Sequence, residues 1–145
     1  NIMTSKSKDT MGKRFEEVRH TADIALRVWG EDLAELFINA AYGMASQLTD
    51  VEDISPTDEE EIALEADDAE ILLVDWLSEL LYLGERENRV SIEFEIQKVT
   101  ENELQAVAQG GAVEMYHTNI KAVTFNELEI VQTEKGYETT VVFDV

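Results

Sequence analysis

The chain has 145 residues, 44% of them hydrophobic, no cysteine, and 32 acidic against 11 basic side chains for a formal net charge of −21. That length and apolar content suit one domain with one core, and the missing thiols exclude a disulfide framework or a thiolate metal site. No run approaches the ~20 apolar residues of a membrane span, the N-terminus lacks a signal-peptide core, and so much negative charge repels phosphate backbones; a cytoplasmic protein that does not grip RNA or DNA by itself is expected.

Residues 1–11 show no apolar periodicity and are read as a flexible or expression-derived leader, which leaves 12–145 as the folded domain. Residues 14–20 and 24–29 predict two short strands. The second sets Ile24, Leu26 and Val28 against Ala25, Arg27 and Trp29 and ends at Gly30. In DLAELFINAAYGMASQL, Leu33, Leu36, Phe37, Ala40, Ala41, Met44 and Leu48 recur at helical spacing behind an Asp32-x-x-Glu35 capping pattern. Residues 50–61, with Pro56 (the only proline) and a run of acids, predict a surface loop, after which EEIALEA predicts a short strand.

A second helix is expected over DDAEILLVDWLSELLYLGE, capped by Asp67 and closed by Gly84. Its apolar residues cover more than one stripe, so it is placed between layers. Strands then follow at 90–98, 103–109, 120–131 and from Gly136 to the C-terminus, with turn chemistry in TEN at 100–102 and EKG at 134–136. The order predicts an α+β fold: a single two-layer domain of mainly antiparallel sheet with two long amphipathic helices.

Reactive groups are few. His20, His117, Lys121 and the carboxylates are the main ones; without cysteine or a G-x-S-x-G elbow a hydrolytic nucleophile is poorly supported, and Gly110–Gly111 sit between strands rather than opening a phosphate-binding helix. Two histidines far apart give no zinc pattern, whereas abundant carboxylates suit a hard cation with oxygen ligands. The best candidates are acids at strand ends: Asp23 at the head of one strand, and Asp144 at the tail of the last, beside the terminal carboxylate of Val145. Lys121 is the only base between Lys98 and Lys135. It suits either a surface ion pair or a single positive contact to a partner or phosphate.

Four segments, HTADIALRVWGEDLAELFINAAYGM, LLVDWLSELLYLGE, IKAVTF after a histidine, and the terminal VVFDV, together resemble the archease family in order and spacing across residues 14–145. The resemblance implies a small α+β protein that is not an enzyme. It implies an accessory factor of the tRNA-splicing RNA ligase that joins an RNA 2′,3′-cyclic or 3′-phosphate end to a 5′-hydroxyl end. Such a factor promotes guanylylation of the ligase's histidine and multiple turnover, and carries a divalent metal site seen with calcium, with magnesium or manganese as alternatives. RNA is then reached only through the ligase, with no direct nucleotide binding and no membrane.

By motif position the resemblance assigns the metal-binding acids to Asp23 and Asp144, with Val145 beside them, and the activating lysine to Lys121; His20 opens the first motif and suits an orienting or partner role. The family pattern is broken at Gly111, where a glutamate often follows the glycine, and at Asn126, where a histidine is common. Two other readings of the acid pair are a calcium module whose ion is structural, acting as an adaptor or chaperone-like partner, and a metal-dependent phosphohydrolase. The second lacks an obvious base or nucleophile.

Overall fold

A computed structural model of the protein describes residues 14–19 and 23–145; the expected leader and His20 lie outside the described residues. Strand β1 (Phe15–Arg19) pairs antiparallel with β2 (Asp23–Gly30), and β2 pairs antiparallel with the last strand, β8 (Gly136–Asp144). The alternation read in the sequence sets this register. Ile24, Leu26 and Val28 stand opposite Phe143, Val141 and Thr139, and all six side chains are buried on one face. The C-terminal end of β8 also carries β6 (Ala122–Thr124) and its N-terminal end carries β7 (Val131–Thr133), so β8 is the strand through which this sheet is assembled. The second sheet has the order β3 (Asp58–Glu65), β5 (Glu103–Ala112), β4 (Arg89–Val99), all antiparallel.

Helix α1 (Leu33–Leu48) follows β2 directly. Asp32 caps it, its carboxylate accepting the Glu35 N–H at 2.8 Å, while Glu35 accepts the N–H of Glu31 at 2.7 Å. The reciprocal bond of the D-x-x-E pattern thus falls one residue earlier than a standard capping box would put it. Helix α2 (Ala69–Glu87) is capped by Asp68, which accepts the Ile71 N–H at 2.8 Å, and not by Asp67 as expected. Nor does Gly84 end it. The helix runs three residues further and stops at Asn88, whose φ of 52° supplies the left-handed cap. Gly84 is there for space: a Cβ at that position would sit 2.7 Å from the carbonyl oxygen of Arg89.

One apolar cluster joins both helices to both sheets. At its centre is Trp76 of α2, fully buried, whose indole N–H donates to the Phe37 carbonyl of α1 at 2.9 Å and whose ring meets Phe94 of β4 edge-on at 5.9 Å. Among the described residues no helix is long and apolar enough to cross a membrane.

Two strand boundaries differ from expectation. β3 starts at Asp58, inside the acidic run expected to be loop, because the Thr57 N–H bonds the Gly110 carbonyl at 2.9 Å and the buried guanidinium of Arg89 holds the Asp58 carboxylate through Nε at 2.9 Å and through Nη2. The expected strand at 120–131 is broken into β6 and β7. Thr124 turns its hydroxyl onto the Val142 carbonyl at 3.1 Å and accepts the Asn126 N–H at 3.2 Å, and Glu127 then adopts a φ of 62°. The Ile130 N–H leaves the sheet ladder for the Glu70 carboxylate in the first turn of α2, at 3.0 Å.

Arg89 is 2% exposed, and its Nη1 also bonds the Ser91 hydroxyl at 2.7 Å. Gly110 lets β4 close around it, and Gly111 admits the close approach of Ser55. A Cβ on Gly110 would meet Val90 O at 2.2 Å, and one on Gly111 would meet Ser55 O at 2.0 Å. At Gly111 there is no room for the side chain that the family pattern often carries.

Two stability experiments follow from this packing. Asp68→Ala should cost about 1 kcal/mol in urea denaturation and Asp67→Ala close to nothing, because only the first leaves a helix N–H without its cap. Asp58→Ala should cost about 3 kcal/mol, since it strands a buried cation, whereas Arg89→Met should cost less than half of that because Asp58 is 42% exposed and can be hydrated.

Candidate metal centre at the joined strand ends

The first residue of β2 and the last of β8 are register partners: Asp23 lies directly opposite Asp144. Directly opposed residues of an antiparallel pair project to the same face with Cβ atoms about 4.5–5.5 Å apart. Because Ile24, Leu26 and Val28 fill the core face, strand alternation sends Asp23 and Asp144 to the other face, shared with Arg27 and Glu138, which pair at 3.1 Å. The two acids therefore sit side by side at the end of the sheet although they are separated by most of the sequence.

On the far side of Asp144 its register partner is Ala122, first residue of β6, whose methyl leaves that flank of the acid open. The preceding residue, Lys121, donates its backbone N–H to the Asp144 carbonyl at 2.7 Å. Its side chain is exposed and makes no ion pair among the described residues. Val145 follows Asp144 and is half-buried. The fold thus brings Asp23, Asp144, Val145 and Lys121 to one place, while His20 lies outside the described residues. His117 is exposed in the loop before β6, held through its N–H to the Leu48 carbonyl at 2.8 Å.

The environments of the two acids differ. Asp144 is exposed, but Asp23 is half-buried, and its Oδ1 is sealed from solvent with no hydrogen-bond partner among the described residues. A buried carboxylate oxygen without a donor costs about 1–3 kcal/mol, and two like charges directly opposite each other add to that. Both costs are removed by a hard cation that takes oxygen ligands, so the donor set fits calcium, magnesium or manganese and not a thiolate-seeking metal. Among the described residues no group of three or more His, Cys, Asp or Glu side chains stands close enough to hold an ion. The protein side chains described here supply two carboxylates, and hard cations bound by so few protein groups complete their shells with water or with another molecule's oxygens.

A groove of about 1100 Å³ opens at the opposite end of the β2–β8 pair, where Gly30 faces Tyr137; Arg14, Trp29, Asn39 and Lys135 help to line it, and among the described residues none of the predicted site residues does. The acid pair therefore lies outside the concavity that a small-molecule substrate would fill. Sequence reading missed Arg89 as a buried cation, for which the alternating apolar and polar residues of β4 gave no signal. It also missed the small residue beside Asp144, since Ala122 is uninformative until register is known.

Comparison with known proteins agrees with the residue-level reading. The profile of the Archease protein family (MTH1598/TM1083) matches residues 15–145. The chain is 40% identical over 144 residues to the archease of Methanosarcina mazei, covering 94% of this chain and 99% of that protein, and 35% identical over 136 residues to the archease of Archaeoglobus fulgidus, covering 91% and 99%. The solution structure of Methanobacterium thermoautotrophicum protein 1598 superposes with a TM-score of 0.76 at 28% identity, covering 91% of this chain and 99% of that one. The crystal structure of an archease from Thermotoga maritima shares the fold with a TM-score of 0.64 at 24% identity, over 90% and 96% of the two chains. The chain belongs to the archease family.

Proposed function

We propose that this archease is a non-catalytic accessory protein of an RNA ligase that joins 2′,3′-cyclic or 3′-phosphate ends to 5′-hydroxyl ends, and that it acts in the cytoplasm by promoting guanylylation of the ligase's histidine. The observation that carries this reading is the carboxylate pair: Asp23, with a buried oxygen lacking any described donor, in register with the exposed Asp144. Asp23 and Asp144, with Val145 beside them, would hold a divalent cation, calcium first and magnesium or manganese as alternatives. Bound there, the ion supplies positive charge that can offset charge gathering on phosphate oxygens.

The chain's own residues divide the work by exposure. Asp23, walled in by the sheet, keeps the site in place; Asp144 and Lys121, both exposed and joined by the 2.7 Å backbone bond, face outward to the ligase and its nucleotide. His20 contacts the partner or orients a neighbouring group. RNA reaches this protein only through the ligase, because a surface with net charge −21 repels it. Among the described residues the groove of about 1100 Å³ lies at the opposite end of the β2–β8 pair from the acids, which favours a helper's role over a phosphohydrolase's.

A second reading, in which the ion is structural, is favoured by the position of the pair, since it would fasten β2 to β8 at their ends. The two are separated by what chelation does. With EDTA we expect loss of ligase stimulation and a fall of only a few degrees in Tm; a Tm collapse that parallels the activity loss would instead make the ion a fold element.

Substitution tests the site directly. Asp23→Asn and Asp144→Asn proteins should keep their circular dichroism, bind calcium at least tenfold more weakly by calorimetry, and lose most of their stimulation of guanylylation. Full stimulation by both folded variants would refute the proposal.

A further inference from the structure

Among the described residues Phe125 is one of four large apolar side chains left exposed, at 55%, the others being Tyr82, Met115 and Val131. Its setting sets it apart. Phe125 directly follows β6, three residues from the Ala122 that faces Asp144, or about 10 Å along an extended strand. The backbone on either side is pinned: the Thr124 hydroxyl donates to Val142 O at 3.1 Å and accepts the Asn126 N–H at 3.2 Å, and the Leu128 N–H closes the turn onto Phe125 O at 3.0 Å. Glu127 holds a φ of 62°, a left-handed conformation that a residue with a Cβ adopts at a cost and that clusters at functional sites.

The other three exposed residues lack this combination. Tyr82 has the Arg86 guanidinium 5.5 Å from its ring, Val131 lies at the other end of β8, opposite Glu138, and Met115 has an unbranched side chain that would lose more rotamer freedom on docking. An aromatic ring on a rigid turn loses little freedom when it is buried, which is why aromatic side chains dominate the centres of interfaces. Of the exposed residues that follow it, Asn126, Glu127 and Glu129, two are acidic, and the exposed Asp144 lies opposite Ala122, three residues before it.

We propose that Phe125 is the apolar anchor by which this end of the molecule seats on a partner protein, in an apolar pocket ringed by Lys and Arg side chains that match the acids around it. The inference rests on the function proposed above and identifies the contact that would hold Asp144 and Lys121 over the partner's nucleotide. It is separable from the metal site, since Phe125 touches neither acid's register position.

The test uses the full chain and the purified cognate RNA ligase, comparing wild type with Phe125→Ala, Phe125→Leu, Phe125→Glu and the control Val131→Ala. Phe125→Ala should weaken ligase binding tenfold or more while Tm and calcium affinity stay as in wild type. Phe125→Leu should stay within a few-fold of wild type, Phe125→Glu should bind worst against a pocket that excludes charge, and stimulation by Phe125→Ala should recover as its concentration is raised. Unchanged ligase affinity of folded Phe125→Ala overturns the anchor and leaves the function reading standing. So does sedimentation showing that Phe125 joins two copies of this chain, with ligase affinity untouched. If wild type itself neither binds nor stimulates the ligase, the function reading and the anchor fall together.

Discussion

The antiparallel pairing of β2 with β8 is the constraint from which the rest of this molecule follows. Three apolar residues of β2 meet Thr139, Val141 and Phe143 of β8 across the ladder and are packed beneath α1. A slip of one residue would turn Ile24, Leu26 and Val28 out of the core and Arg27 into it, so burial makes the register all but unique. The same register that satisfies the core places Asp23 against Asp144 on the reverse face. The acid pair is thus a by-product of core packing in position, although not in composition: hydrophobic alternation dictates where the ends fall, and the sequence puts carboxylates there at an energetic cost.

That cost makes sense only if something offsets it. An acidic domain can place carboxylates on its outer faces freely, and the second sheet does so with Glu59, Glu61, Glu93 and Glu95, all exposed to water. Asp23 differs because one of its oxygens is sealed from water and from every described donor. In the other sheet, Arg89 shows how the fold treats buried charge elsewhere. Its guanidinium is enclosed but bonded to Asp58 and Ser91, with a glycine at position 110 where a Cβ would meet it. One buried charge is thus fully paired, while a buried oxygen of Asp23 has no donor among the described residues.

The chain after α2 is organised to present this end of the sheet. Broken into β6 and β7, it is tied to α2 by Glu70, to β8 by Thr124, and to β8 again by the bond between the Thr139 hydroxyl and Glu129 O at 2.8 Å. Lys121 and Phe125 are thereby held at the two ends of a three-residue strand beside Asp144. In an acidic molecule this arrangement sets one exposed aromatic ring, one lysine and a pair of carboxylates at the same end of the sheet, the features on which the proposed accessory role rests.

Much of this was legible without coordinates. Alternation in 24–29 and in the final strand, the helical spacing of 33–48 and the apolar excess of 69–83 determine the elements and the α+β class, because local periodicity reports which face is buried. Four segments, from HTADIAL through LLVDWLSELLYLGE and IKAVTF to VVFDV, were enough to recognise the family and to nominate Asp23, Lys121 and Asp144. What the sequence could not decide is anything that depends on which chains become neighbours. Asp68 rather than Asp67 caps α2, the helix passes through Gly84 because Arg89 needs the space, the 120–131 strand breaks where Thr124 and Glu70 capture backbone groups, and Arg89 is buried because Asp58 arrives from another strand. The strand break and the burial of Arg89 are settled by contacts between residues far apart in the chain, whereas the cap and the Gly84 contact are short-range but turn on backbone geometry that a residue pattern does not carry. A propensity or a pattern is local, and only the folded sheet brings Asp23 and Asp144 directly opposite each other.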